Sequence, residues 1–91
     1  MFTLISYDVV HDRRRHRLAK LLGGHGQRVQ YSVFECELTS LQLTRLARDI
    51  ERIINPECDS VRIYRLDDAA VGRIVIVGVG SVTRTPTHYR L

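Results

Sequence analysis

A single carboxylate and a block of arginines stand close together near the start of the chain, in the stretch LISYDVVHDRRRHRLAKLL. Asp8 closes an apolar run and can serve as a helix cap, as a turn residue or as half of a divalent-metal site. Its spacing alone favours a cap or turn, because Mg²⁺-assisted phosphodiester chemistry usually needs at least two carboxylate oxygens. One chain offers one suitable acid, and a symmetric dimer would supply the second, since a residue near a two-fold axis meets its own copy.

The positive charge of the chain is concentrated just after Asp8. The net charge is +4, with 14 basic and 10 acidic residues. Six of the basic residues and none of the acidic ones fall between positions 13 and 28, which leaves eight basic against ten acidic residues elsewhere. All but one of the 14 are arginine, the side chain suited to bidentate phosphate contacts. A local field of this kind favours a polyanion-binding patch over a solvated helix face.

Other kinds of site have weaker support. The two cysteines, Cys36 and Cys58, show no zinc-ligand spacing, so we interpret both as reduced and structural. The four histidines show no metal spacing, and Gly78-Val-Gly80 is too short for a dinucleotide loop. No run approaches the ~20 apolar residues of a membrane span, and no signal peptide is evident. We therefore expect a cytoplasmic protein with no membrane partner.

The elements that must position these residues follow from apolar spacing and cap signals. We expect Asp12 to cap the first helix, and a capping box at Thr39 to Gln42 to begin the second. The phase of the alternation shifts near Ser32, which predicts a kink that divides one extended stretch into two strands. In order, the predicted elements are a strand over 2–10, a helix over 12–22, an extended stretch over 28–38, a helix to 54, and strands over 61–66 and 73–79.

This order predicts an α+β fold, a ferredoxin-like βαββαβ sandwich with one additional C-terminal strand. The last strand is apolar on both faces, so we expect a second chain to pair with it or cover it. We place the domain at 1–80 and interpret 81–91 as an extended tail available to a partner.

Three groups of residues match a known family. They are Tyr7-Asp8 at the end of the first strand, the arginine-rich opening of the first helix, and Arg28-x-Gln30-x-Ser32-Val33-Phe34-Glu35. Together they resemble the CRISPR-associated protein 2 family, over the whole length of the chain. The resemblance implies a ferredoxin-like homodimer in which the Asp8 residues of both subunits face each other and hold Mg²⁺ or Mn²⁺. It also implies metal-dependent cleavage of RNA or DNA during spacer acquisition and antiviral defence.

The family's functional positions are carried over one by one. Asp8 matches the catalytic and metal-binding aspartate, and Tyr7 matches the aromatic residue before it. Arg15, Arg17 and Arg28 match the phosphate-contacting basic positions. Arg14 joins them as a nucleic-acid-binding candidate, because the helix opens with three consecutive arginines. Ser32 and Phe34 match the segment that lines the interface groove, although Phe34 is as well explained as a core residue and Tyr7 as a packed one.

Two alternatives to a nuclease stay open. In some family members the protein is a duplex-DNA-binding scaffold between integrase dimers, and its nuclease activity is dispensable. Both uses need the basic surface, whereas only the enzyme needs Asp8. The resemblance also implies an integrase partner, with the tail around Pro86 to Leu91 as its expected docking strand. The other alternative is a small-molecule-sensing regulatory module, because the ferredoxin-like fold hosts many of these. The virulence-associated endoribonuclease toxins, which share the fold, are a more distant possibility.

Overall fold

The computed structural model of the chain describes residues 1–83, and four strands and three helices lie in that range. The strands are β1 (Phe2–Asp8), β2 (Gly26–Gln30), β3 (Val33–Glu37) and β4 (Ser60–Leu66). The helices are α1 (Asp12–Gly23), α2 (Ser40–Ile53) and the short α3 (Asp68–Gly72). Up to β4, this is the order that the sequence predicts.

The four strands form one sheet in the order β2-β3-β1-β4, and every neighbouring pair is antiparallel. Strand β1 lies between β3 and β4, and its pairing with β4 sets Asp8 opposite Ser60. A turn at Tyr31 and Ser32 separates β2 from β3, which confirms the predicted division into two strands near Ser32, and the register between them shifts between Arg28 and Gln30. The architecture is the expected ferredoxin-like α+β fold.

One face of the sheet packs against the helices and the other is largely free of them. The core joins alternate β1 residues, Ile5 and Tyr7, to Leu18 and Leu22 of α1 and to Leu46 of α2. Because side chains alternate across a strand, the β1 residues between and beyond them, including Asp8, point to the opposite face. We call that opposite side the open face. Because Ile5 and Tyr7 are buried in the core, Asp8 must point to the open face.

The two helix starts behave differently from each other. Thr39 caps α2, and its side chain and that of Gln42 exchange hydrogen bonds with the backbone, which confirms the predicted capping box. The prediction that Asp12 caps α1 is wrong. His11 occupies the cap position without a side-chain bond, and Asp12 is the first helical residue. The Asp12 carboxylate instead accepts a hydrogen bond from Arg15 one turn later, because a guanidinium competes well with backbone amides for a carboxylate.

The additional strand predicted over 73–79 does not form within residues 1–83 of a single chain, and its pairing with a second chain stays a prediction. Residues 74–83 form neither helix nor strand, and α3 occupies 68–72 just before them. This segment instead crosses the open face, where the Thr83 amide donates to Glu35 at 2.9 Å. Three of its valines are almost fully exposed: Val75 at 82%, Val77 at 94% and Val79 at 104%. A β-branched run makes a strand only where another strand offers it backbone partners, and within residues 1–83 none pairs with this run.

Two further sequence expectations concern membrane-spanning helices and the C-terminal tail. No helix among residues 1–83 is both long enough and apolar enough to cross a membrane. The tail expected over 81–91 lies mostly outside the described residues, so its docking role stays a prediction.

Candidate functional site

Asp8 lies exposed at the end of β1, between two shallow cavities. Within residues 1–83, no hydrogen bond or ion pair engages its carboxylate. The larger cavity, of about 350 Å³, is lined by Tyr7, Asp8, Val9, Arg15, Tyr31 and Ser32. The smaller, of about 250 Å³, is lined by Ser6, Tyr7, Asp8, Ser60 and Arg62. An acceptor of this kind, open to solvent and bordered by cationic side chains, is available to an external ligand.

Arg15 supports the backbone that leads away from Asp8. Its guanidinium donates to the carbonyl oxygens of Val9 at 3.3 Å and Val10 at 3.4 Å, and to the Asp12 carboxylate. The hydrogen bond with Arg15 holds the pKa of Asp12 below its usual value, and the same bond raises the pKa of Arg15. Much of the hydrogen-bonding capacity of Arg15 is therefore committed inside the protein, although the side chain still lines the larger cavity.

Arg14 is held by a buried acid that sequence analysis did not identify. Its Nε donates to Asp59 Oδ2 at 2.7 Å and its Nη2 to Oδ1 at 3.3 Å. Asp59 also accepts the backbone amides of Asn55 at 2.9 Å and Val10 at 3.4 Å. These bonds, that from Arg14 first, lower the Asp59 pKa from 3.8 to about 2. Arg14 thus fastens α1 to the loop before β4.

Arg28 rests on an aromatic pair. The rings of Tyr7 and Phe34, both buried, stack with centroids 6.3 Å apart. The Arg28 Nη2 donates to the Tyr7 hydroxyl at 3.3 Å, and its Cζ lies 5.3 Å from the Phe34 centroid. Phe34 is therefore a core residue of this chain, and Tyr7 is packed. Among the described residues no acid pairs with Arg28, so its guanidinium is available to an anion.

A backbone hydrogen bond fixes the position of Ser32 beside β1. The amide of Tyr7 donates to the Ser32 carbonyl at 3.1 Å, which ties the turn of the β2–β3 hairpin to β1 directly before Asp8. The side of Ser32 that remains accessible borders the larger cavity. The structure thus brings Tyr7, Asp8, Arg15 and Ser32 together in one place.

Arg17 stands apart from that cavity on the outer stripe of α1. It is exposed, as are Arg13 and Lys20 at positions four before and three after it, so the three share one helix surface. Among the described residues, none of these three nor Arg28 forms an ion pair. We call Arg13, Arg17, Lys20 and Arg28 the unpaired cations.

Some residues near Asp8 could be found only through strand pairing. Ser60 lies opposite Asp8 and Arg62 opposite Ser6, so both reach the open face beside the carboxylate. The available signal was the alternation in SVRIYRL, where polar side chains recur at every second position. The register that aligns them with Asp8 depends on tertiary pairing.

A divalent ion fits Asp8 only if further donors come from elsewhere. Residues 1–83 contain no group of three His, Cys, Asp or Glu side chains that could hold a metal. Mg²⁺ commonly binds one or two carboxylates and keeps several waters. An exposed aspartate without an internal partner suits that ligand set, with a second carboxylate from another copy of the chain.

Comparison with known proteins agrees with this arrangement. The family model described as "CRISPR associated protein Cas2" matches residues 1–74. The CRISPR-associated endoribonuclease Cas2 3 of Chloroflexus aurantiacus is 52% identical over 89 residues, 98% of this chain and 96% of that protein. The crystal structure of Streptococcus pyogenes Cas2 superimposes with a TM-score of 0.76 at 35% identity, over 86% of this chain and all of that one. A chain of a partial Cas6-RT-Cas1–Cas2 complex gives a TM-score of 0.78 at 30% identity, with 93% of each chain covered. The family model covers most of the chain, and the Chloroflexus relative matches it over almost its full length. The chain therefore belongs to the CRISPR-associated protein Cas2 family.

Proposed function

We propose that this chain is a nuclease of CRISPR spacer acquisition that cleaves RNA or DNA as a homodimer, with a divalent metal held by Asp8. The observation that carries the proposal is the exposed Asp8 carboxylate, which has no partner within residues 1–83 and lies between two cavities. The name of the Chloroflexus relative, an endoribonuclease, supports the reaction type. Its identity to this chain extends over almost the full length of both proteins.

Dimerisation is supported by the exposed valines on residues 74–83. Val75, Val77 and Val79 present apolar surface that a second protomer would remove from water. Burial of apolar surface stabilises by roughly 25 cal/mol per Å², so three such side chains make a substantial contribution. A two-fold axis near Asp8 would also bring the second carboxylate that a metal requires.

The chemistry divides between the two protomers and the bound ion. Asp8 of each protomer would hold Mg²⁺ or Mn²⁺, which when bound would supply Lewis-acid stabilisation of the charge on the scissile phosphoryl group. Arg28, free of an acidic partner, would bind a neighbouring phosphate and hold the strand in place. Arg15 fixes the Val9 and Val10 backbone and so keeps Asp8 in position.

The test is the nearly isosteric substitution Asp8→Asn, assayed on labelled RNA and duplex DNA with Mg²⁺, Mn²⁺ or EDTA. We expect cleavage by the original protein to require metal and to be lost in Asp8→Asn, while dimerisation and nucleic-acid binding persist. Asp49→Asn is the matched control, because Asp49 is a partly exposed acid on α2 whose ion pair, with Arg52 at 3.5 Å, lies on the surface. Full cleavage by Asp8→Asn would refute the metal-site assignment.

A scaffold is the second candidate, and the similarity to a chain of the Cas6-RT-Cas1–Cas2 complex favours it. In that case the same basic surface would hold duplex DNA between integrase subunits, and Asp8 would have no catalytic task. The assay above separates the candidates. Tight duplex binding without cleavage by either protein, together with co-purification with an integrase subunit, would support the scaffold and refute the nuclease.

A further inference from the structure

The larger cavity beside Asp8 has an aromatic wall that the proposed cleavage chemistry does not use. Tyr31 stands at the turn between β2 and β3 and is 70% exposed, although most large rings are buried. It lines the same 350 Å³ cavity as Asp8, Arg15 and Ser32. That volume lies within the range of roughly 300–1,000 Å³ that is typical of ligand pockets.

The Tyr31 ring is held in place by its neighbours. The Arg28 Cζ lies over the ring, 5.7 Å from its centroid. Arg15 lines the same cavity as Tyr31, and its pKa is raised by Asp12 first and by Tyr31 to a smaller extent. The turn itself is fixed to β1 by the hydrogen bond between the Tyr7 amide and the Ser32 carbonyl. Arg28 lies over the ring, yet Tyr31 remains 70% exposed, so much of the side chain is accessible to a ligand.

A fixed, exposed ring next to the unpaired guanidinium group of Arg28 matches the requirements of one class of ligand. Nucleobases stack on aromatic side chains while arginines contact the phosphates between them. In the interior of a duplex each base face is already stacked on a neighbouring base pair, so an unpaired base reaches the ring far more readily. We propose that Tyr31 stacks an unpaired base of a single-stranded polynucleotide whose backbone passes Asp8 and Arg28. This specificity deepens the nuclease function proposed above and rests on it.

The experiment measures binding in EDTA, where cleavage plays no part. A labelled single-stranded oligonucleotide, as DNA and as RNA, and the duplex of the same sequence are titrated with the original protein, Tyr31→Leu and Tyr31→Phe. We expect Tyr31→Leu to weaken single-strand binding about 5- to 150-fold, the equivalent of about 1–3 kcal/mol per stacked base. Duplex binding should change by less than about twofold, and Tyr31→Phe should bind both forms as the original does.

A second variant reports the contact directly and guards against a misfolded leucine variant. The chain has no tryptophan, so Tyr31→Trp creates a protein with a single indole at the stacking position. Its fluorescence should be quenched by the single strand and left nearly unchanged by a strand of abasic nucleotides. Equal quenching by both strands, equal losses on single strand and duplex in Tyr31→Leu, or no loss at all would overturn the proposal.

These outcomes are independent of the cleavage test. A protein that cuts nucleic acid but shows no Tyr31 effect refutes the stacking site alone. A protein that cuts nothing but loses single-strand affinity in Tyr31→Leu refutes the nuclease and leaves the single-strand site standing.

Discussion

The charges available for nucleic acid can be counted from the salt dependence of binding. Six basic residues lie between positions 13 and 28, but Arg14 is paired with Asp59 and Arg15 with Asp12. Of this block, the four unpaired cations remain for phosphates. For duplex DNA, the slope of log K against log salt is about −0.9 per neutralised phosphate. We therefore expect a slope of about −3.6 per protomer, against about −5.4 if all six took part.

The difference between the two slopes is large enough to measure. Between 50 and 200 mM KCl, four contacts predict a loss of affinity of about 150-fold per protomer, and six predict about 1,800-fold. Fluorescence anisotropy with a labelled duplex in EDTA gives the slope, and stoichiometric titration gives the number of protomers bound. Two duplexes of unrelated sequence should give the same result, because phosphate contacts carry no base information.

Two single substitutions locate the contacts. Arg17→Gln should flatten the slope by about 0.9 per protomer, since Arg17 is exposed and unpaired. Arg14→Gln should leave the slope unchanged and lower the thermal unfolding temperature, because it leaves the buried Asp59 carboxylate without its cation. If Arg14→Gln flattens the slope as much as Arg17→Gln does, the count from the structure is wrong.

Three other properties can be tested on the purified protein. Gly26→Ala would push a Cβ into the backbone of β3 and should destabilise by about 1–3 kcal/mol in urea titration, whereas Gly72→Ala, which meets open space, should not be destabilising. Burial raises the Cys36 pKa to about 11, so iodoacetamide at pH 8 should modify the exposed Cys58 but spare Cys36 in the native protein. Rapid labelling of both cysteines, measured by mass spectrometry, would contradict this. The Asp59 pKa falls from 3.8 to about 2 on folding, so the stability that the Asp59 carboxylate contributes is present above pH 3.8 and is lost as the pH falls through about 2. The difference in unfolding temperature between the original protein and Asp59→Asn should therefore shrink over that interval. A difference that stays constant down to pH 2 would count against the ion pair.

Local signals predicted the elements well. The α2 capping box depends on residues three positions apart, and the helix begins there in the structure. The division near Ser32 follows from the change of side-chain phase, which any strand with a fixed buried face must show. Asp8 was likewise placed correctly at the end of β1, because the apolar run before it stops there. These features are decided within a few residues of sequence.

Features that depend on distant partners were missed. Asp59 lies 45 residues from Arg14, so nothing near either residue indicates that they pair. The apolar run over 73–79 has the composition of a strand, but a strand also requires a neighbour with free backbone groups, and no strand within residues 1–83 pairs with it, so the expected pairing with a second chain stays a prediction. The five-residue α3 was missed although Asp67 caps it by accepting the Ala70 amide, because so short a helix leaves almost no periodic pattern.

The single carboxylate at the end of β1 has a genetic consequence. In the proposed homodimer each catalytic centre draws one Asp8 from each protomer, so a mixed dimer with one Asp8→Asn chain lacks half of its metal ligands. If equal amounts of both chains are made in one cell, random pairing leaves only about a quarter of the dimers intact. A substitution that would be recessive in a monomeric enzyme is therefore expected to act as a dominant allele here, while a deletion of the same gene copy is not.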